Sequence, residues 1–393
     1  MNLKNIADNN QQFLTSKSVN YYFSPGRVNL IGEHIDYHGG NVFPTAINLG
    51  TYGIVSQRTD HDFHFYSVNF PDFLPKVVSL NDLSYQENRN WANYASGMIQ
   101  AFIEKGFNID HGLNILIYGN LPNGAGLSSS ASLEVLVGVI LKKEFNIDIE
   151  MLEIVKTAQM VENQYIGVNC GIMDQFAVGM SKIDKAIYLD TNTLDYELIP
   201  LELGKYTLVI ANTNKKRSLA DSKYNERRSE GEMGIKVLKE SGLEFEHLCE
   251  LSPNDFETHK ESFSSQVVKN RIEHVIYENY RTVSAVDSLK NSDFITFGKL
   301  VNQSHHSLDE LYEVSCKELN VLVNSFVKHG AIGSRMTGAG FGGCTISLVE
   351  TSIVQSVIEK VGQEYYEKIG YHADFYPVKT SDGAKKMESG DIL

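Results

Sequence analysis

The spacing of apolar and polar positions changes period several times along the chain. Residues 21–23, 53–56, 63–68 and 113–118 are short β-branched or aromatic runs and read as strands, whereas residues 92–105 and 133–145 carry apolar side chains at helical spacing. Another helical stretch begins near Glu150 and places Glu162 on one face with Ala158 and Tyr165. Beyond Lys185 the runs AIYLD and YTLVIANT read as strands, and from Asn225 helical stretches dominate until Gly333. CTISLV, residues 344–349, returns to strand; a helix over 354–369 and a strand near 373–377 follow. Interleaved periods of this kind predict an α+β fold. A chain of 393 residues exceeds the size at which a single core stops growing, so we expect two domains, residues 1–195 and 196–393.

Composition narrows the classes of function. A chain that is 42% hydrophobic and 21% charged can bury a sizeable core, so disorder is not expected. The formal charge of −14 argues against a nucleic-acid partner, which would need a basic face. An anionic nucleotide is not excluded, because helix N-termini and local cations can hold phosphates against an unfavourable global field. The four cysteines lie far apart with no CxxC pair, which predicts free thiols rather than a zinc knuckle or a disulfide framework. Residues 1–18 are polar, and no run of about 18 apolar residues follows, so a cytoplasmic protein with no membrane partner is expected.

Three segments concentrate chemistry. In LPNGAGLSSSASLEVLVGVIL, residues 121–141, a strand leads through Pro122 to Gly124 and Gly126, and then to serines that open an apolar helix. Backbone N–H groups beside such glycines, together with the positive end of the helix dipole, make a phosphate cradle. It is not a Walker loop, because no GK[ST] closes it. The plainer reading is a Gly/Ser turn that caps the helix. In SPGRVNLIGEHIDYHGGNVFPTAI, residues 24–47, the polar groups Arg27, Glu33, His34 and Asp36 crowd together among turn glycines, as suits a polyhydroxylated ligand. A metal reading competes there, since His34, Asp36 and His38 would share a face of an extended strand. The third segment, MTGAGFGGCTISLV, residues 336–349, satisfies GxGxxG through Gly338, Gly340 and Gly343 but runs into a strand rather than a helix, which rules out a dinucleotide fingerprint. A glycine turn packed on a ligand or another domain remains, beside a plain tight turn.

In this order the three segments resemble the motifs of the GHMP small-molecule kinases, named for galactose, homoserine, mevalonate and phosphomevalonate. GRVNLIGEHIDY resembles the galactokinase signature, whose GEHxDY core homoserine and mevalonate kinases lack. Further galactokinase-like segments are ENQYIGVNCGIMDQFAV at 162–178, ANTNKKRSLADSKYNERR at 211–228 and FGKLVNQSHHSLDELYEVSCKELN at 297–320. The resemblance, which runs from about Tyr22 to Pro377, implies a two-domain GHMP kinase architecture with the active site in the cleft between domains. It implies transfer of the γ-phosphoryl group of ATP to the anomeric hydroxyl of galactose.

Carried over by position, the resemblance implies that Asp174 is the base and Arg27 its charged neighbour. Glu33, His34, Ile35, Asp36, Gly171, Asp174 and Tyr224 would bind the sugar. Gly124, Ala125, Gly126, Leu127, Ser128, Ser129 and Ser130 would wrap the ATP phosphates, with Ser67 in the nucleotide pocket. Ser130 and Glu162 would ligate Mg2+; one hydroxyl and one carboxylate suffice for an ion that keeps several waters. Outside the resemblance, Glu162 reads as a solvated helix carboxylate and Asp174 as a turn or cap residue. Two positions depart from the family pattern: His38 where DYN is usual and Asn320 where ELD is usual. Some galactokinase-like proteins are sugar sensors that lack the Ser-Ala step after the serines; here Ser130, Ala131 and Ser132 are intact, which favours an enzyme. A galactosamine-derivative or uronic-acid kinase is a variant of the same chemistry. A monomer is expected.

Overall fold

The computed structural model describes residues 2–16, 18–70, 75–122, 126–215, 220–388 and 390. Its largest sheet has six strands in the order Lys385–Lys386, Asn20–Asn29, Pro44–Gln57, Leu113–Gly119, Asp62–Ser67 and Lys76–Ser79. Alternation along the central strands decides what covers each face. Val55, Ile115 and Ile117 point into a core shared with the helices Ala92–Glu104, Ser129–Glu144 and Met151–Met160, while Ile54 and Leu116, paired in register, meet the short helices Leu3–Asn9 and Gln11–Leu14.

A second sheet has four strands, ordered Ala331–Thr337, Cys344–Glu350, Tyr206–Asn212 and Asp374–Val378. It is also covered on both faces. Val209, Ala211 and Val349 pack on the helices Lys317–Lys328 and Val354–Ile369, whereas Leu208, Ile210, Ile346 and Leu348 share a core with Val28, Leu30, Phe43 and Leu127 from the first part of the chain. That shared core brings the end of the Asn20–Asn29 strand against the end of the Ala331–Thr337 strand. A small third sheet pairs Asn41–Val42, Lys185–Asp190 and Tyr196–Pro200. The seam expected at residues 195 and 196 thus falls at a hairpin, and Lys385–Lys386 returns to the first sheet, so strands interlock across it.

The helix after the glycine-serine run starts at Ser129, within the serines expected to open it. Among the described residues, no helix is long and apolar enough to cross a membrane. Cys170, Cys249 and Cys316 are free thiols; Cys249 and Cys344 are buried, and Cys170 and Cys316 are partly exposed.

Candidate active site

Arg27 projects from the Asn20–Asn29 strand just past a bulge between Pro25 and Arg27 and is almost wholly buried. Its Nε and Nη2 donate to the two oxygens of Asp174 at 2.8 and 2.9 Å, and its Nη1 donates to the carbonyl of Gly126 at 2.9 Å. One planar fork therefore joins a carboxylate to the glycine-serine loop, which a lysine could not do. Asp174 lies in the first turn of the helix Met173–Met180. Ser128 precedes the helix Ser129–Glu144 with a left-handed φ of 63° and makes no capping bond; its hydroxyl donates to Asp174 Oδ2 at 2.6 Å instead. The plain helix-cap reading of these serines fails at Ser128.

Arg27 and Asp174 line a cavity of about 220 Å³ together with Glu33, His34, Asp36, Glu162, Gly171 and Tyr224. A Cβ at Gly171 would lie 1.9 Å from Asp36 Oδ2, so only glycine lets that carboxylate reach its place. Burial, with Asp174 and Glu33 adding to it, pushes the Asp36 carboxyl up to about 7. His34 Nε2 meets the carbonyl of Ala339 at 3.1 Å and so must carry the proton, which leaves Nδ1 to accept from the Tyr37 hydroxyl at 2.8 Å. Tyr37 in turn accepts from Tyr312 at 2.9 Å. Burial lowers His34 to about 4, in keeping with this neutral tautomer.

Glu33 pairs with the buried Arg335 and accepts the Gly338 N–H at 3.0 Å. Burial pushes the Glu33 carboxyl up while Arg335 and Arg27 pull it down. The third glycine segment thus has a structural role. It is the turn of a hairpin, and Gly338, at φ 82°, comes so close to the loop that a Cβ would sit 2.8 Å from the Gly126 carbonyl.

A second cavity of about 300 Å³ is lined by Ser67, Ser129 and Ser130 with Thr51, Trp91, Tyr94, Ile117, Leu121 and Leu133. Gly124 and Ala125 lie outside the described residues; Leu127 is buried in the core, and its carbonyl accepts the Arg27 N–H at 3.3 Å. The Ser130 hydroxyl lies close enough to Glu162, which lines the first cavity, to pull its carboxyl down, so this pair stands where the two cavities meet. The α-helix expected to carry Glu162 gives way to a π-helical turn, Val161–Ile166, a distortion common at functional sites. Glu162 is nearly buried rather than solvated, and burial pushes its carboxyl up to about 7.

Ile35 is not among the lining residues. Its side chain is in the core, and its carbonyl accepts from the N–H groups of His38 and Gly40 at 3.0 and 2.9 Å, which fixes the turn. The alternating metal face of His34, Asp36 and His38 does not form, because residues Asp36–His38 make a 3-10 turn and His38 is buried against Gly231. No group of three or more metal-binding side chains occurs among the described residues. Asn320 belongs to a separate polar cluster, donating to both Asp309 oxygens at 2.9 Å. Sequence reasoning missed Tyr37, Tyr312 and Arg335. The only available signal for Arg335 was an arginine in an apolar strand just ahead of the glycine run.

Residues 10–57 match the galactokinase galactose-binding signature, 93–182 the GHMP kinase N-terminal domain and 285–368 the GHMP kinase C-terminal domain. The galactokinase of Fusobacterium nucleatum is 50% identical over 98% of this chain and 99% of its own length. That of Clostridium acetobutylicum is 53% identical over 94% and 95%. A crystal structure of Lactococcus lactis galactokinase complexed with galactose superposes with a TM-score of 0.95 at 44% identity, covering 98% of this chain and all of that one. Mevalonate kinase of Methanococcus jannaschii, at 20% identity and a TM-score of 0.66, shares the fold. The chain therefore belongs to the galactokinases of the GHMP kinase superfamily and is an ATP-dependent sugar kinase.

Proposed function

We propose that the enzyme transfers the γ-phosphoryl group of ATP to the anomeric hydroxyl of galactose, giving galactose 1-phosphate and ADP, with Asp174 as base and Arg27 as charge stabiliser. The observation that carries this reading is the two-pronged Arg27–Asp174 pair, tied to the loop by Gly126 and Ser128 and facing the polar cavity. Phosphoryl transfer passes through a loose transition state in most analyses, so positioning and charge stabilisation dominate. Asp174 orients the attacking hydroxyl and takes its proton late, while Arg27 fixes that carboxylate through two hydrogen bonds and faces charge developing on the phosphoryl oxygens.

Glu33, His34, Asp36, Gly171 and Tyr224 would read the sugar hydroxyls, with Ile35 shaping the turn beneath them. The second cavity would take the nucleotide, with Ser67 on its wall, and residues 124–130 would hold the phosphates. Ser130 and Glu162 fit Mg2+: both offer hard oxygen, and behind them Glu134 Oε1 is buried and accepts no N–H or O–H among the described residues, so the site is locally acidic. Bound there, the ion would neutralise charge on the phosphates. Two units, residues 1–195 and 196–393, with the site between them, and a monomeric cytoplasmic enzyme without nucleic-acid or membrane partners complete the proposal.

ATP consumption measured with galactose, glucose, N-acetylgalactosamine, galacturonate and mevalonate tests it, with phosphorus NMR of the product. Turnover with galactose and a phosphate on the anomeric carbon are expected. Galactose binding without turnover, or phosphate on another carbon, overturns the reading.

A further inference from the structure

The transfer chemistry makes no use of one fully buried carboxyl beside the site. Glu134 lies on the helix Ser129–Glu144 four residues after Ser130, so both side chains share one face of that helix. Its Oε1 accepts no N–H or O–H among the described residues, its carboxyl lies against that of Glu162, and its Oε2 accepts from Gln175 Nε2 at 3.4 Å. The same Nε2 donates to Glu162 Oε2 at 2.6 Å. Gln175 is itself fully buried on the helix Met173–Met180, adjacent to Asp174.

Burying an acid with an oxygen that accepts no N–H or O–H costs free energy, and the neighbouring positions Leu133, Val135, Leu136 and Val137 are filled by apolar side chains. A leucine at residue 134 would satisfy packing alone. What Glu134 adds is an acceptor that keeps the Gln175 amide turned so that its N–H₂ faces Glu162. Glu162 leaves the chain from a π-helical turn, and the Gln175 N–H₂ fixes its Oε2 at 2.6 Å.

We propose that Glu134 and Gln175 are positioning residues that orient Glu162 as a ligand for the divalent cation. This rests on the reading of Ser130 and Glu162 as cation ligands. Outer partners of metal ligands typically contribute about 10–100-fold in affinity when removed.

The test uses Mn2+ as probe with the full-length enzyme and saturating ADP, free Mn2+ being counted by electron paramagnetic resonance. Glu134→Leu and Gln175→Met should each weaken Mn2+ binding by ~10–100-fold. Glu134→Gln, which keeps an oxygen acceptor for Gln175, should restore most of that loss. Galactose affinity by calorimetry should stay near wild type in all three, as a general structural defect would not allow. Unchanged Mn2+ affinity in Glu134→Leu and Gln175→Met, alongside a clear loss in Glu162→Gln, overturns the proposal while leaving Glu162 as a ligand. Glu134→Gln as weak as Glu134→Leu overturns it too, because charge rather than orientation would then be at work. No effect of Glu162→Gln on Mn2+ would remove the ligand reading itself.

Discussion

The two cavities that meet at Ser130 and Glu162 are built on opposite principles. The one beside Arg27 is walled by charged and hydrogen-bonding groups, each held by a second polar group: Glu33 by Arg335 and Gly338, His34 by Tyr37 and Ala339, Asp174 by Arg27 and Ser128. The one beside Ser67 is walled largely by Trp91, Tyr94, Ile117, Leu121 and Leu133. Apolar walls select by shape and tolerate small changes, whereas a site of buried, pre-paired polar groups penalises any hydroxyl that points the wrong way. With the cavities assigned as proposed, stringency is expected towards the sugar and tolerance towards the nucleotide.

The strongest challenge to this contrast is a change of sugar epimer. Galactose and glucose differ only at the C4 hydroxyl, and kcat/KM should favour galactose by ~10⁴-fold or more. Comparable values would show that Glu33, His34 and Asp36 do not read the sugar. A smaller effect is expected from Gly171→Ala, whose methyl would displace the Asp36 carboxylate. Since misplacement by an ångström can cost about 10²-fold, kcat/KM for galactose should fall by ~10–10²-fold with the KM for ATP unchanged. An equal loss in both substrates would mean that the two cavities are not independently built.

Asp36 also predicts a pH effect. Its carboxyl is raised from 3.8 to about 7 in the folded protein, so the native state binds the proton more tightly than the unfolded chain. Stability from this group is then fully present below about 3.8 and is lost as pH rises through about 7. Asp36→Asn should flatten the fall of Tm with pH across that window; an unaltered slope would contradict the burial argument. The smallest effect belongs to the other cavity. Ser67→Ala removes at most one hydroxyl contact, about 1 kcal/mol, and should raise the KM for ATP by ~5-fold or less without altering sugar preference.

What could be read in the chain follows the same division between local and distant. The helix Val354–Ile369 was legible to the residue because its stripe is amphipathic and its end is marked by Gly370, left-handed at φ 93°. The Asn20–Asn29 strand was read only as far as Phe23, because Ser24, Pro25 and Gly26 look like a turn; the chain instead keeps pairing through a bulge. Arg27, Asp174 and the serine loop were recognisable as separate motifs, each short and self-contained. Their convergence was not derivable from spacing, since Arg27 and Asp174 are 147 residues apart and are joined only by tertiary packing. Arg335 was missed for the same reason: its partner Glu33 lies 302 residues away, and beyond its place just ahead of the glycine run nothing local marks it. The π-helical turn at Glu162 escaped as well, because nothing in ENQYIG breaks an α-helical pattern before Gly167.

The claim on which the account turns is that Asp174 and Arg27 act as one unit in the transfer step, and a double-mutant cycle read by single-turnover kinetics tests it most directly. Asp174→Asn keeps shape but cannot take the proton, so the rate of transfer should fall by at least ~10²-fold while the Kd for galactose stays near wild type. Arg27→Lys keeps the charge but loses the fork that holds both Asp174 oxygens, and should also slow transfer. Because the pair shares one task, the double variant should be little slower than the slower single one. Near wild-type transfer in Asp174→Asn, or losses that multiply fully in the double variant, would contradict the account.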